Sequence, residues 1–377
     1  MKLLNRTRLA ENIEARIRGD MQAQKLFGAS VIVKQNGDTV YKNHFGTVSC
    51  DSHIPVSDKT VYRLASMTKP VTAVAVLILE DRGLLSTDDP IEHYLTSFSE
   101  PYVLGENGEK IPVTEKVKIS HLLTHTSGVG SGKIFTRTES LLTQKDRENV
   151  ESYVDFVSRQ PLSFVPGTKQ EYSPFAAFSI LVAIIQKLTG RDVEEFFKRE
   201  IFEPLGMTDT TFEPSEKQWS RIIAMHNKKD GESKAVKLLE GCIFPPYPTA
   251  NRLGGAGLVS TLNDYERFAD MLLGHGVCNG KRIISEDAYM KMATPQISEK
   301  IYPSNRRWGF GTRVITGSSY RIRPVGSFGW SGAFGTHFWV DPENEIVAIY
   351  MKNSYYDGGG EAITASNFER DVFASFE

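Results

Sequence analysis

The period of apolar and polar positions changes several times along the chain, and each change predicts an element. MKLLNRTRLAENIEARIRGD breaks its apolar residues with charges every two or three positions and predicts an exposed amphipathic helix. Ala29 to Lys34 (ASVIVK) and Thr39 to Phe45 (TVYKNHF) are β-rich runs flanking Gln35-Asn36-Gly37-Asp38, and Asn-Gly at that place predicts a hairpin. Val71 to Leu79 is apolar except for Thr72 and is followed by Gly83, which predicts a buried helix starting near Ser66. Pro70 then falls in the first turn, where a missing N–H has no partner to lose. Ser120 opens a short helix expected to stop at Gly128, and Gly130 to Asn149 is polar without a core pattern, a surface excursion or a lid over a cleft. Phe175 to Leu188, closed by Gly190, is apolar nearly all round and must be buried; Val193 to Phe202, closed by Pro204, is the next helix. Glu213 to Pro248 is polar and Pro-rich and reads as long connections. Tyr265 to Leu273 predicts another helix. Strands return at Trp308 (WGFGTRV), Val325 (VGSFGW), Gly335 (GTHFWV) and Glu345 (EIVAIYM) before a last helix in FERDVFASFE.

Antiparallel strands at both ends with helices between them predict an α+β fold. One sheet is built from both chain termini and flanked by helices, residues 1–82 and 251–377, and carries a mainly helical inserted domain, residues 83–250. The 377 residues are 40% hydrophobic and 24% charged, with 44 basic against 46 acidic side chains for a net charge of -2, and no block of like charge. Neither a nucleic acid nor a membrane surface is favoured as a partner by this balance. The N-terminus lacks the apolar h-region of a secretory signal, and no run reaches the roughly 18 apolar residues of a membrane span. Cys50, Cys242 and Cys278 are far apart and lack metal-ligand spacing, so reduced thiols in a cytoplasmic protein are expected. His121 and His125 lie four apart but have no acidic third ligand nearby, and neither a metal nor another cofactor is expected.

Candidate chemistry begins at Ser66. Residues three apart share a helix face, so Ser66 and Lys69 can touch, and an apolar helix supplies the surroundings that keep an amine partly neutral and able to take a serine proton. An N-cap serine followed by a solvated lysine fits the same letters. Tyr172, in EYSP after the Pro-Gly-Thr turn, is either a phenol that shuttles protons beside the amine or a tyrosine packed at a helix start. Gly326, Gly329, Gly332 and Gly335 crowd the tail segment GSFGWSGAFGTHFWVDP, where a ligand or another backbone approaches closely, and the Ala333 N–H could meet a substrate oxygen there; a bulged strand explains the glycines equally. Ser331 competes as a nucleophile because Gly329-Trp330-Ser331-Gly332 nearly spells G-x-S-x-G. Ala333 in the fifth position and a following strand argue against it.

The segments RLASMTKPVTAVAVLILEDRGLLSTDDPI, ISHLLTHTSG, FVPGTKQEYS, IFEPLGMTDTTF, GGAGLVSTLNDYERFADMLL, WGFG and FGTHFWVDP, in that order from Val31 to Asn353, resemble the serine β-lactamase and penicillin-binding-protein superfamily. The likeness is to its class C branch, of the family VIII carboxylesterase and transesterase type. The resemblance implies Ser66 as nucleophile, Lys69 as its amine partner, Tyr172 as proton shuttle, and an oxyanion hole from the Ser66 and Ala333 N–H groups. It implies a substrate-binding triad at Trp330, Ser331 and Gly332, and a structural role for His121 and His125.

Two positions depart from the family pattern. Its Y-x-N reads Tyr172-Ser173-Pro174, which removes an amide clamp, and its K-T-G reads Trp330-Ser331-Gly332, which replaces a cation with an indole. The expected activity is therefore acyl transfer through an acyl-enzyme from a small uncharged ester or acyl donor, as a carboxylesterase or acyl transferase. The alternatives are a β-lactamase or D-amino-acid peptidase, and a non-catalytic binding or scaffold homologue.

Overall fold

The computed structural model describes residues 2–228, 235–237, 251–318, 322–355 and 363–377. The Asn36-Gly37 turn sets the architecture: both residues take positive φ, 54° and 79°, which matches the twist of the strands they join, β1 (Gly28–Gln35) and β2 (Asp38–Gly46). Five strands from the tail complete an antiparallel sheet: β3 (Arg306–Trp308), β4 (Arg313–Ile315), β5 (Phe328–Ser331), β6 (His337–Asp341) and β7 (Ile346–Met351). The strand order is β3-β4-β5-β6-β7-β1-β2, so the two ends of the chain meet where β1 pairs with β7, Val31 opposite Tyr350.

The principal helices are α1 (Arg6–Gln22), α2 (Thr68–Asp81), α3 (Ile119–Leu123), α4 (Gly132–Leu141), α5 (Val150–Ser158), α6 (Ala176–Thr189), α7 (Val193–Phe197), α8 (Leu262–Leu273), α9 (Glu286–Ala293) and α10 (Ile363–Phe373). Helices cover both faces of the sheet, which is why β1 is buried along its whole length. On one face Leu9, Ile13 and Ile17 of α1, spaced by helical turns, pack with Val31, Val33, Phe368 and Val372. On the other, α8 packs across β1, β6 and β7, with the Tyr265 ring 5.1 Å from Phe338, and α2 and α6 pack on each other within the same core. Each aliphatic side chain fully buried there contributes about 1.5–3 kcal/mol. Among the described residues no helix is long and apolar enough to cross a membrane.

Several expected boundaries move. Ser66 lies in a 3-10 turn, Ala65–Met67, that leads into α2 at Thr68 with Pro70 in the first turn. Helix α3 ends at Leu123 rather than Gly128, because His125 itself takes the left-handed conformation at φ 59°. The polar stretch after Gly130 forms α4 instead of an irregular excursion. Pro204 does not close a helix: α7 passes into a π-helical turn, Lys198–Phe202, and a last helical turn, Glu203–Leu205, holds the proline in its first residues. WGFGTRV is a hairpin, not one strand, since the Gly309 N–H bonds the Thr312 carbonyl across the turn between β3 and β4. Much of the connection expected from Glu213 to Pro248, with Cys242 in it, lies outside the described residues.

Candidate active site

The 3-10 turn before α2 presents Ser66, the first turn of α2 presents Lys69 beside it, and the loop entering α6 carries Tyr172 to meet them. The Tyr172 hydroxyl donates to Ser66 Oγ at 2.7 Å, and Lys69 Nζ lies 3.2 Å from the same oxygen. Lys69 is wholly buried. Its Nζ donates to the carbonyls of Pro174 and Gly255 at 2.7 and 2.8 Å, and desolvation holds its pKa well below the ordinary lysine value. Gly255 is needed for this approach: a Cβ there would stand 2.7 Å from the Pro174 oxygen and 3.0 Å from Lys69 Nζ.

The residue before the serine is strained. Ala65 has φ 47°, and the neighbouring Leu64 carbonyl is fixed by the Thr336 hydroxyl at 2.9 Å. That contact joins the serine turn to the segment after β5. Gly332 packs so closely against it that a Cβ would lie 2.1 Å from both the Leu64 oxygen and Thr336 Oγ1. Ala333 follows, and its N–H meets no acceptor among the described residues. Ser66 and Ala333 face the same cavity, of about 680 Å³, with Tyr172, Trp308, Arg313 and Trp330 in its walls. The cavity size suits a drug-sized ligand, and its walls are mainly apolar and aromatic.

Every residue expected at the site except the two histidines borders this cavity or, in the case of Lys69 and Gly332, lies directly behind it. His125 is buried with its Nδ1 accepting from the Ser173 N–H at 3.1 Å, and its ring packs 4.5 Å from Tyr172 and 4.4 Å from Trp308. Burial, followed by the charges of Lys69 and Arg313, pushes its pKa well below the ordinary value, so it buttresses Tyr172 as a neutral ring. His121 caps α3 with Nδ1 on the Lys118 N–H.

Sequence reasoning missed Trp308, Tyr302 and Arg313 as cavity residues. Trp308 packs against Trp330 at 4.5 Å between ring centres with the planes tilted by 60°, and Arg313 lies over the Tyr302 and Trp308 rings while its Nη2 donates to the Tyr302 hydroxyl at 2.8 Å. The Gly-flanked aromatic in W-G-F-G was the available signal, hidden by reading the segment as a continuous strand.

A serine facing a buried amine and a phenol beneath a sheet strand, on an α+β frame with both termini in the sheet, defines a class of active-site-serine proteins. The Beta-lactamase family model matches residues 13–367, and the chain belongs to that family. It is 26% identical to esterase EstB of Burkholderia gladioli over 96% of this chain and 94% of that protein. Identity to a putative D-alanyl-D-alanine carboxypeptidase of Escherichia coli strain K12 is 25%, covering 83% and 73%. Among solved structures, EstCE1, a hydrolase with promiscuous acyltransferase activity, superposes with a TM-score of 0.82 at 20% identity, covering 98% of this chain and 99% of that one.

Proposed function

We propose that this serine hydrolase acts on small uncharged esters through an acyl-enzyme on Ser66, with Lys69 as base and Tyr172 as proton shuttle. One observation carries the reading: the amine of Lys69 is buried, gives two hydrogens to carbonyls and lies beside Ser66 Oγ. A neutral amine has two N–H bonds and one lone pair. With both hydrogens engaged, the lone pair is left for the serine proton, while the Tyr172 hydroxyl stabilises the oxygen from the other side.

Ser66 attacks the carbonyl and its proton passes to Lys69. The developing oxyanion takes hydrogen bonds from the Ser66 and Ala333 N–H groups, and one such donor is worth about 10²–10³-fold in rate. Tyr172 hands a proton to the leaving alcohol, a contribution of about 10²–10⁴-fold, and is recharged from Lys69. Water or an acceptor alcohol then attacks the acyl-enzyme by the reverse path. Trp330, in place of a cation, and Pro174, in place of an amide, favour uncharged esters, and the name of EstB agrees with an ester substrate. We also assign the protein to the reducing cytoplasm, a reading supported by the free thiols of Cys50 and Cys278.

Arg313 in the cavity wall favours a second reading, a β-lactamase or D-amino-acid peptidase whose substrate carboxylate meets that guanidinium. Intact mass after a fluorophosphonate and steady-state rates on p-nitrophenyl butyrate and a cephalosporin decide between them. The first reading expects one adduct, lost in Ser66→Ala together with ester turnover, and a faster ester reaction. Wild-type ester turnover in Ser66→Ala overturns it.

A further inference from the structure

We infer that Ser331, backed by His337 and Glu369, forms a hydrogen-bond-accepting niche in the cavity wall that selects a ligand hydroxyl group. Ser331 stands opposite His337 in the β5–β6 ladder, so both side chains project from one face of the sheet. Helix α10 brings Glu369 to that face. Ser331 Oγ lies 2.7 Å from His337 Nδ1, and His337 Nε2 lies 2.9 Å from Glu369 Oε1. Arg323 Nε is 3.1 Å from the same carboxylate oxygen. Ser331, His337 and Glu369 are 3%, 4% and 3% exposed, so water does not compete for these bonds.

The direction of the chain follows from its charged end. A carboxylate paired with a guanidinium only accepts, so Nε2 carries a hydrogen; we take His337 as the neutral imidazole, in which the Nδ1 lone pair then faces the serine. Ser331 therefore donates its own hydrogen to His337. Its oxygen is left with acceptor capacity alone.

Ser331 lines both the cavity containing Ser66 and a smaller one of about 20 Å³ on the α10 side, with Arg313 and Trp330 as further shared walls. A space of that size admits one oxygen atom, about what a water or a single hydroxyl needs. Arg306, Arg313 and Arg323 also line the smaller cavity, so an oxygen placed there meets guanidinium groups as well as Ser331; a carbonyl or carboxylate would satisfy the guanidiniums but oppose its lone pairs to those of Ser331. A neutral O–H would satisfy them, and it is the donor that hydroxyacyl esters and acceptor alcohols both carry. A site built to bond a hydroxyl rejects the analogue that lacks it, because the site's own buried group is then left unpaired.

This inference rests on the acyl-enzyme reading, and the test separates the two. Fluorophosphonate labelling of Ser66 is measured by mass in wild type, Ser331→Ala and His337→Leu. One arm compares kcat/KM for p-nitrophenyl 3-hydroxybutyrate and p-nitrophenyl butyrate; the other measures partition of the butyryl group between ethanol and water. Wild type is expected to favour the hydroxyl in one arm, the acyl side or the acceptor side, on the order of tenfold, and both variants to lose that preference, read as a ratio within each protein whatever their absolute rates. Labelling of Ser66 with no hydroxyl preference in either arm, or a preference that survives in both variants, overturns the niche. Absence of any Ser66 adduct in wild type overturns the acyl-enzyme reading instead. His337→Leu separates the relay from the serine's bulk, since it leaves Ser331 in place with its hydrogen released.

Discussion

Replacing Lys69 by Met tests whether the amine is held neutral. Lys69 is wholly buried, and its pKa is lowered by desolvation, whereas in the unfolded chain it titrates near its ordinary value of about 10.4. Between those two values the unfolded state binds one proton more than the native state, so ∂ΔG/∂pH for unfolding is positive and stability rises as pH rises. For one proton the slope is about 1.4 kcal/mol per pH unit, and it vanishes above the unfolded value. Lys69→Met has no such proton. It also leaves the Pro174 and Gly255 carbonyls without their donor, at about 1–3 kcal/mol each.

Urea-unfolding curves of both proteins in one-unit steps between about pH 7 and 9 are therefore expected to diverge, wild type gaining on the variant with rising pH by up to about 1.4 kcal/mol per step, the limit for one proton. The rate constant for ester turnover in Lys69→Met should fall about 10²–10⁴-fold at every pH. Parallel stability profiles would refute the reasoning: Lys69 would then be protonated in the folded protein over the whole range and could not accept the Ser66 proton.

Tyr172→Phe removes the 2.7 Å hydrogen bond to Ser66 and is expected to lower kcat by about 10²–10⁴-fold, with slower fluorophosphonate labelling read by mass. Gly332→Ala must push Leu64 and Thr336 apart from a 2.1 Å contact, so a loss of about 1–3 kcal/mol in urea unfolding is expected together with a drop in kcat, because Leu64 leads directly into the serine turn. Ser66→Ala should abolish turnover and the adduct while leaving the unfolding midpoint within about 0.5 kcal/mol of wild type, since the hydroxyl borders open cavity.

Local rules carried far where local forces decide. The Asn36-Gly37 hairpin, the buried runs of α2 and α6 and the left-handed Gly190 at the end of α6 follow from turn chemistry and periodicity alone. Two helix starts were legible but unread: Thr261 caps α8 by accepting from the Asp264 N–H, and Ser285 caps α9 ahead of Glu286 and Asp287. The end of α3 was placed too late, at Gly128, because a buried aromatic cluster, not residue preference, supports the left-handed backbone of His125. The apolar surroundings of Lys69 were legible in the run after it, but its two acceptors were not, since they are backbone carbonyls brought from Pro174 and Gly255 by packing. The same holds for Ser331, whose partner is chosen by strand register and whose carboxylate arrives on α10.

The pairing of β1 with β7 has a consequence for how this protein comes off the ribosome. Val31 is translated early and Tyr350, its neighbour in the sheet, late. At about 5–20 residues per second, β1 waits on the order of tens of seconds with one edge unpaired, a template for any other nascent strand nearby. The serine turn lacks strand β5, against which it lies, for the same interval, and Ala333 has not yet been made. The site is therefore assembled only once the tail strands have been made and paired, and until then the waiting apolar strand is what a chaperone would have to shield.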